Sequence, residues 1–272
     1  VRILTADYSI FQISFTRTFF GFLPILLLLA YSKQMGALKT PFNRQEWVIC
    51  ALRGGSVSLA QLCLFMAYSK LEFATVATLA FSGPFFVTAL SVPLLGVVVG
   101  FWRWSAVILG FCGVVMIMQP GASIFSLFSV LPVLAAFCYA MSSTLVKIFS
   151  YDRLSGVIQF RSQIFSAGFS LLLWLSFGEM VPIASAFDLG LFLALGLLGG
   201  AGVLGLVVAY RMSQPSLLAP FEYFGIPFSM FLGWWFFAEA PLDRLFPGVL
   251  AIIAGGLLII WRQARIKTDL PR

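Results

Sequence analysis

The sequence predicts an all-α polytopic membrane protein made of two five-helix units in inverted orientation. Three observations support this fold class: extreme hydrophobicity, long apolar runs with short connections, and an internal repeat. Of the 272 residues, 61% are hydrophobic and 10% are charged, and the mean hydropathy is +1.01. A soluble domain carries roughly a quarter charged residues, so most of this protein's surface is expected to face lipid.

Nine segments are long and apolar enough to cross a bilayer, because a spanning helix needs about 20 mostly apolar residues. These runs are longer than the strands of a membrane barrel and do not alternate as such strands do. The predicted helices cover residues 9–31, 46–69, 73–95, 101–119, 125–148, 155–177, 187–210, 214–238 and 244–262.

Basic residues are distributed unequally between the two ends of these helices. If the carboxyl terminus is cytoplasmic, eleven lysines and arginines lie at cytoplasmic ends and three lie at outer ends. This bias follows the positive-inside rule and predicts a cytoplasmic tail at residues 263–272. The net charge of +7 therefore indicates membrane orientation, and we expect no nucleic-acid partner.

Several kinds of chemistry are disfavoured by what the sequence lacks. It has no histidine, and its four cysteines lie inside predicted helices without metal-ligand spacing. The sequence contains no nucleophile–base set or carboxylate cluster that would indicate a membrane enzyme. It also contains no phosphate-binding loop that would indicate ATP as the driving force. We therefore expect no metal, no cofactor and no catalytic residue.

An internal repeat divides the chain. VRILTADY at 1–8 resembles VKIFSYDR at 146–153, an offset of 145, and LCLFMAY at 62–68 resembles LGLVVAY at 204–210, an offset of 142. These offsets predict a first repeat over 1–119 and a second over 125–262.

The second repeat has five predicted helices and the first has four. Since residues 1–8 match the end of the second repeat's first helix, we expect a ten-helix protein whose opening helix is absent from this sequence. Five crossings are an odd number, so two such units in tandem lie upside down relative to each other. Many secondary transporters have this architecture, with the solute path between the halves.

Two stretches carry a family resemblance. LLAPFEYFGIPFSMFLGWWFFAEAPLDRLFPGVLAIIAGGLLII at 217–260 and ATLAFSGPFF at 77–86 resemble EamA-type members of the drug/metabolite transporter superfamily. The resemblance implies a ten-helix carrier of small metabolites in the bacterial inner membrane, often an exporter. It also implies Gly-Glu after the fourth helix of each half. Here the second half has Ala238-Glu239 and the first has Gly96-Val97, so the first-half carboxylate is missing.

Glu222 is a carboxylate inside an apolar run, flanked by Pro220 and Pro227. Prolines release backbone groups from the helical pattern, and at membrane depth those groups need partners in protein or in a watered cavity. We therefore expect an irregular helix that exposes Glu222 and Tyr223 to the solute path. The alternative is a buried ion pair that only holds the halves together.

Three arginines lie inside predicted helices, where an ionisable group is costly and usually faces the bundle interior. Arg53 and Arg161 lie roughly 9–12 Å from the cytoplasmic face, as Glu222 does, so these groups are expected to meet. Arg17 enters from the other face. Snorkelling to the headgroups is the alternative for arginine. The remaining predicted lining residues are Gln61, Ser82, Tyr139 and Gln163, and predicted helix bends lie at Gly83, Pro84, Pro220, Gly225 and Pro227.

These features predict a secondary transporter that moves a small metabolite or amino-acid-like solute across the inner membrane by alternating access. Proton coupling or exchange is the expected driving mode, because burial raises the proton affinity of a carboxyl group such as Glu222 while a nearby arginine lowers it. The alternative is a non-transporting scaffold or partner subunit.

The charge bias generates a test of topology. A periplasm-active reporter fused after Arg272 should be inactive, and a cytoplasm-active reporter at the same point should be active, because the basic tail is expected to stay inside. Strong activity of the periplasmic reporter at this position would contradict the orientation.

Overall fold

A computed structural model describes residues 1, 3–96, 100–118, 127–149, 153–183, 185–212, 225–238, 246–251, 253–255 and 257–258. Regular structure in these residues is entirely helical, and they contain no strand. The α-helices are α1 (Ile10–Phe20), α2 (Phe22–Tyr31), α3 (Arg44–Lys70), α4 (Phe73–Ala80), α5 (Gly83–Leu95), α6 (Phe101–Met118), α7 (Val130–Leu145), α8 (Ser155–Phe177), α9 (Ala186–Met212) and α10 (Gly225–Phe237).

Five described segments are long and apolar enough to cross a membrane. Each coincides within a few residues with a predicted span, and α8 covers the predicted span 155–177. The prediction of an all-α polytopic membrane protein is therefore confirmed. The five segments are Ile10–Tyr31, Arg44–Lys70, Thr75–Leu95, Leu127–Ile148 and Ala186–Ala209.

Two of the predicted spans are each divided into two helices. Gly21 separates α1 from α2, and Pro24 follows in the first turn of α2, where its ring opposes the carbonyl four residues earlier. A second break precedes Gly83, and Pro84 then occupies the first turn of α5, a position that suits proline because no helical N–H bond is required there. The sequence predicts the second break but not the first.

The helices form two compact units, and each unit joins segments from both halves of the chain. Unit 1 comprises Val1–Phe65 and Leu145–Met212, and it contains α1, α2, α8, α9 and most of α3. Unit 2 comprises Met66–Thr144 and Ser213–Arg272, and it contains α4, α5, α6, α10 and most of α7.

Close backbone contact at glycines holds unit 1 together. A Cβ atom on Gly54 of α3 would lie 2.5 Å from the Ser162 carbonyl oxygen and 2.7 Å from the Ser166 nitrogen of α8. A Cβ atom on Gly200 of α9 would lie 2.7 Å from the Cα of Gly21. Because lipid supplies no hydrophobic drive for helix association, small residues that allow such close packing stabilise the interfaces.

An apolar cluster closes one end of unit 1. Leu4, Tyr8, Ile13, Phe65 and Phe192 are buried against one another. The ring of Tyr8 meets that of Phe192 edge-on at 5.1 Å between centroids, and its hydroxyl donates to the Asp188 carboxylate at 3.0 Å. This hydrogen bond ties the segment before α1 to the first turn of α9.

Aromatic side chains hold unit 2 together. The fully buried ring of Phe85 on α5 lies so close to Gly110 of α6 that a Cβ atom there would overlap it. The Phe86 ring meets Phe111 and Phe137 edge-on, at centroid distances of 5.6 and 5.5 Å. These contacts join α5 to α6 and α7.

The glycine packing generates a stability prediction. Gly54→Ala should destabilise the protein by about 1–3 kcal/mol, because its methyl group meets backbone atoms of α8 that have no room to move. Gly168→Ala on α8 should be neutral or stabilising, since its methyl group meets nothing within 4 Å and alanine is the better helix former. Thermal unfolding in detergent measures both. Equal stability of the two variants would contradict the close approach of α3 to α8.

Candidate functional site

The buried face of α8 is mostly polar. Gln159, Ser162, Gln163, Ser166 and Ser170 are all buried and recur at helical spacing. Residues three and four apart share one face of a helix, so these side chains form one stripe directed at the neighbouring helices. A polar stripe inside a membrane bundle needs hydrogen-bond partners within the protein.

α3 supplies partners along one side of the stripe. Arg53, which is 2% exposed, donates from Nη1 to Ser162 Oγ at 3.2 Å and from Nη2 to Gln159 Oε1 at 3.5 Å. One turn further on, Ser58 Oγ donates to the Ser166 carbonyl at 2.8 Å. The Arg53 guanidinium is thus held by neutral acceptors on α8.

α1 supplies partners along the other side. Gln163 Nε2 donates to the Thr18 carbonyl at 2.8 Å, and Thr18 Oγ1 donates to Gln61 Oε1 of α3 at 3.3 Å. Ser170 Oγ lies 3.4 Å from Ser14 Oγ and 3.2 Å from Ser58 Oγ. The two predicted lining residues Gln61 and Gln163 are therefore joined through Thr18.

We call these side chains the polar ladder. It is a continuous chain of donors and acceptors between three helices, and its buried side-chain nitrogens and oxygens all have partners. Such a network fixes the relative register of the helices, because shifting one helix would leave buried polar groups without partners. The ladder comprises Ser14, Thr18, Arg53, Ser58, Gln61, Gln159, Ser162, Gln163, Ser166 and Ser170.

Arg17 differs from Arg53 in having no such partners. Its half-buried guanidinium makes no hydrogen bond or ion pair with a described residue. It lies across Gly199 of α9, where a Cβ atom would come within 2.7 Å of Nε and Nη2. The structure therefore places a cation between α1 and α9 without a countercharge among the described residues.

Arg161 is directed away from the ladder, towards the connection between α2 and α3. Its Nη2 donates to the carbonyls of Leu38 and Thr40, at 3.0 and 2.5 Å. Its guanidinium carbon lies 3.7 Å from the ring centroid of Phe42 and 4.9 Å from that of Trp47. These carbonyls and ring faces stabilise the cation and anchor the connection to α8, while Nη1 is buried without a hydrogen-bond partner.

A second contact anchors the same connection. Arg153 forms a bidentate ion pair with Glu46, with nitrogen–oxygen distances of 2.7 and 2.9 Å. The Glu46 carboxylate also accepts a hydrogen bond from the Asn43 backbone N–H, and the Glu46 backbone N–H donates to the Asn43 side-chain oxygen. This reciprocal pair caps the start of α3. The end of α3 nearest these residues is therefore fixed to the segment before α8.

The remaining predicted site residues lie in unit 2 or outside the described residues. Ser82 is buried in the break between α4 and α5 and donates to the Leu79 carbonyl at the end of α4, at 2.8 Å. Tyr139 is half-buried on α7. Gly83 and Pro84 begin α5, and the backbone of Gly225 and Pro227 is helical at the start of α10. Pro220, Glu222 and Tyr223 lie outside the described residues, as does the predicted meeting of Glu222 with Arg161.

The structure also reveals functional candidates that the sequence pattern did not single out. Ser14, Thr18, Ser58, Ser162 and Ser166 belong to the ladder. The signal that could have found the two serines of α8 is the recurrence of Gln and Ser along that helix at intervals of three and four residues. Isolated serines on α1 and α3 carry no comparable pattern.

The chemistry of these residues suits hydrogen bonding and charge recognition. In the part of the chain that the structure describes, His, Cys, Asp and Glu form no group of three that suits a metal ion. The ladder offers amides, hydroxyls and one arginine, and Arg17 adds a second cation nearby in the same unit.

Comparison with known proteins identifies similar chains. Residues 1–119 match the model of the EamA-like transporter family. A pseudopaline exporter of Pseudomonas aeruginosa is 30% identical, over 96% of this chain and 87% of that protein. A riboflavin transporter of Rhizobium johnstonii is 28% identical, over 90% and 80%. An S-adenosylmethionine uptake transporter of Rickettsia conorii is 26% identical, over 94% and 84%.

A solved crystal structure is also similar in fold. It matches with a TM-score of 0.68 and covers 96% of this chain and 90% of its own, at 16% sequence identity. At that identity the likeness concerns the fold alone.

The contacts of Arg161 generate a prediction about the α2–α3 connection. Arg161→Gln should cost about 2 kcal/mol of stability, since it removes cation–π contacts and charge-assisted hydrogen bonds. Amide hydrogen exchange should accelerate at residues 36–43. Arg161→Lys should not restore protection, because lysine lacks the planar fork that reaches two carbonyls.

The matched control is Arg44→Gln, which removes an exposed arginine at the start of α3 and should leave exchange unchanged. Unaltered protection of residues 36–43 in Arg161→Gln would contradict the anchoring role.

Proposed function

Because this chain belongs to the EamA-like transporter family, we propose that it is a secondary transporter that works by alternating access between two inverted repeats. It is a multi-pass membrane protein. We place it in the bacterial inner membrane with a cytoplasmic carboxyl terminus. We also propose export as its direction, on the basis of the family resemblance.

A contact that occurs twice in unit 1 carries the proposal. Gly54 of α3 lies against α8 at Ser162, so close that a Cβ atom added to the glycine would be 2.5 Å from the serine carbonyl oxygen. Gly199 of α9 lies against α1 at Arg17, so close that a Cβ atom added to the glycine would be 2.7 Å from the arginine Nε. Each residue of the first contact has its counterpart in the second at an offset of 145, which is the offset of the first of the two sequence matches.

The neighbouring glycines repeat the relation. A Cβ atom on Gly55 would lie 3.2 Å from the Phe169 ring, and one on Gly200 would lie 2.9 Å from the Pro24 ring. The offset is again 145 for both partners. α3 runs parallel to α8, and α9 runs parallel to the segment formed by α1 and α2, because residue numbers at the contacts increase together along both helices of each pair.

The pair α3 and α8 nevertheless runs in the opposite direction to the pair α1 and α9. α1 and α8 are antiparallel, since Ser14 lies beside Ser170 and Phe22 beside Phe160. At their crossing, Gln163 donates to the Thr18 carbonyl, and these residues are 145 positions apart. Each is the other's counterpart in the repeat, as expected for a contact on a pseudo-two-fold axis. This arrangement supports an inverted repeat.

The relatives suggest the class of solute. Those that match most of this chain are named for transport of riboflavin, pseudopaline or S-adenosylmethionine. We therefore propose a small polar metabolite as the solute, with Glu222, Tyr223, Ser82 and Tyr139 lining its path and proton coupling or exchange as the driving mode.

Flux through the purified protein in proteoliposomes, with the opening helix that the repeat predicts included, tests the proposed function. Vesicles loaded with one solute of a metabolite panel should accumulate the labelled form of that solute by counterflow, and empty vesicles should not. Counterflow requires no imposed gradient, so it detects a carrier whatever its coupling. Absence of counterflow for the entire panel, from folded protein, would overturn transport and favour a scaffold.

Glu222 generates a second functional prediction. Glu222→Gln keeps the side-chain volume and removes the charge, so we expect a folded protein with flux reduced about tenfold or more, a loss of about 1.4 kcal/mol in rate terms. Its dependence on pH should flatten as well. The matched control is Glu179→Gln, an exposed acid just after α8, which should leave flux unchanged. Normal flux and pH dependence in Glu222→Gln would make Glu222 a structural residue.

A further inference from the structure

Arg17 lies deep within a membrane-crossing segment. The segment runs over Ile10–Tyr31, and Arg17 is seven residues from its start, roughly 10 Å at the rise of an α-helix. An arginine at such depth is costly, by about 2.5–3.5 kcal/mol on insertion scales, and usually marks a solute or ion pathway when it faces protein. Its position against α9 satisfies that condition.

The described acids of unit 1 do not neutralise Arg17. Asp7 and Glu179 are exposed outside the helices, Glu46 is paired with Arg153, and Asp188 accepts the Tyr8 hydroxyl. Asp188 is also eleven residues from Gly199 along α9, roughly 16 Å. The acids therefore lie at helix ends, while the described middle of the unit contains no acid.

Arg17 consequently carries a positive charge that no described acid of unit 1 balances. Arg53 is held apart from it by hydrogen bonds to Ser162 and Gln159 of α8. A low-dielectric cleft of one sign concentrates counter-ions of the other sign. An anion that reaches this depth is therefore stabilised at the half-buried guanidinium of Arg17.

We propose that Arg17 binds the acidic group of the transported solute, a carboxylate or a phosphate. This inference rests on the proposed transport function and specifies its substrate class. Arginine suits the role because its planar fork donates two parallel hydrogen bonds to a carboxylate or phosphate. No bond is made or broken in this step, and the anion replaces water at the guanidinium.

Gly199 makes this position possible. The guanidinium lies flat on the surface of α9 because no side chain separates it from the helix backbone at that point. A methyl group there would come within 2.8 Å of three guanidinium atoms. Gly199→Ala should therefore displace the head of Arg17 without altering its charge, and the displacement is mild because the long side chain is free to turn.

The experiment compares solutes that differ by one acidic group. The same proteoliposomes are tested for counterflow of three pairs: riboflavin 5′-phosphate with riboflavin, S-adenosylmethionine with its decarboxylated form, and glutamine with glutaminamide, in which an amide replaces the α-carboxylate. For at least one pair we expect the wild-type protein to prefer the acidic member about tenfold, equivalent to about 1.4 kcal/mol. Arg17→Gln should abolish that preference mainly by slowing the acidic member.

The two levels of the hypothesis fail differently. Counterflow of no solute from folded protein would overturn the proposed transport function. Counterflow of some solute, with no acidic preference in the wild-type protein or with the preference intact in Arg17→Gln, would overturn only the role of Arg17. If Arg17→Gln slowed counterflow of both members of a pair equally, Arg17 would have a structural role, for example by contacting lipid headgroups, and the inference would likewise be overturned.

Two further variants protect the result against misfolding. Arg17→Lys keeps the charge but loses the fork, so it should retain part of the preference. Gly199→Ala should weaken the preference even if Arg17→Gln does not fold. Its control is Gly202→Ala on the same helix, where a methyl group meets nothing within 4 Å. Arg44→Gln controls for loss of one positive charge elsewhere in the unit. A preference unchanged by both Arg17→Lys and Gly199→Ala would overturn the inference.

Discussion

The requirement that polar groups inside a membrane protein find partners within the protein governs unit 1. α8 carries a stripe of glutamines and serines through the bundle, and α1 and α3 have to approach it closely enough to hydrogen-bond. Gly54 permits that approach on α3. Close packing and hydrogen bonding are therefore coupled. Displacing a helix would break van der Waals contacts and would at the same time leave buried donors without hydrogen-bond partners.

Three arginines show how neighbours decide the role of one side chain. Arg161 is surrounded by backbone carbonyls and aromatic faces, which makes it an anchor for a connection. Arg53 donates to Ser162 and Gln159 of the ladder. Arg17 lies against a glycine and keeps its donors accessible. The guanidinium chemistry is the same in all three, and the neighbours of each side chain distinguish an anchor, a ladder member and the proposed ligand-binding group.

The repeated contact in unit 1 links the architecture to transport. A repeat that packs through equivalent glycines offers two similar interfaces, Gly54 with Ser162 and Gly199 with Arg17. Their chemistry differs, because one interface presents a serine where the other presents an arginine. Under the proposed inverted repeat, these two interfaces are related by symmetry and differ in chemistry.

The sequence by itself determined the fold class, because composition and the length of apolar runs are set by the bilayer rather than by particular contacts. It also determined the family, and the span of α8 agrees with the prediction to the residue. Only tertiary structure decided which polar residues meet. Arg53 and Arg161 have the same predicted depth but turn to different neighbours, and the break at Gly21 brings that glycine against Gly200 and Gln163. Periodicity along one helix specifies a face but not the helix it meets, so partners of buried polar groups emerge only when the helices are assembled.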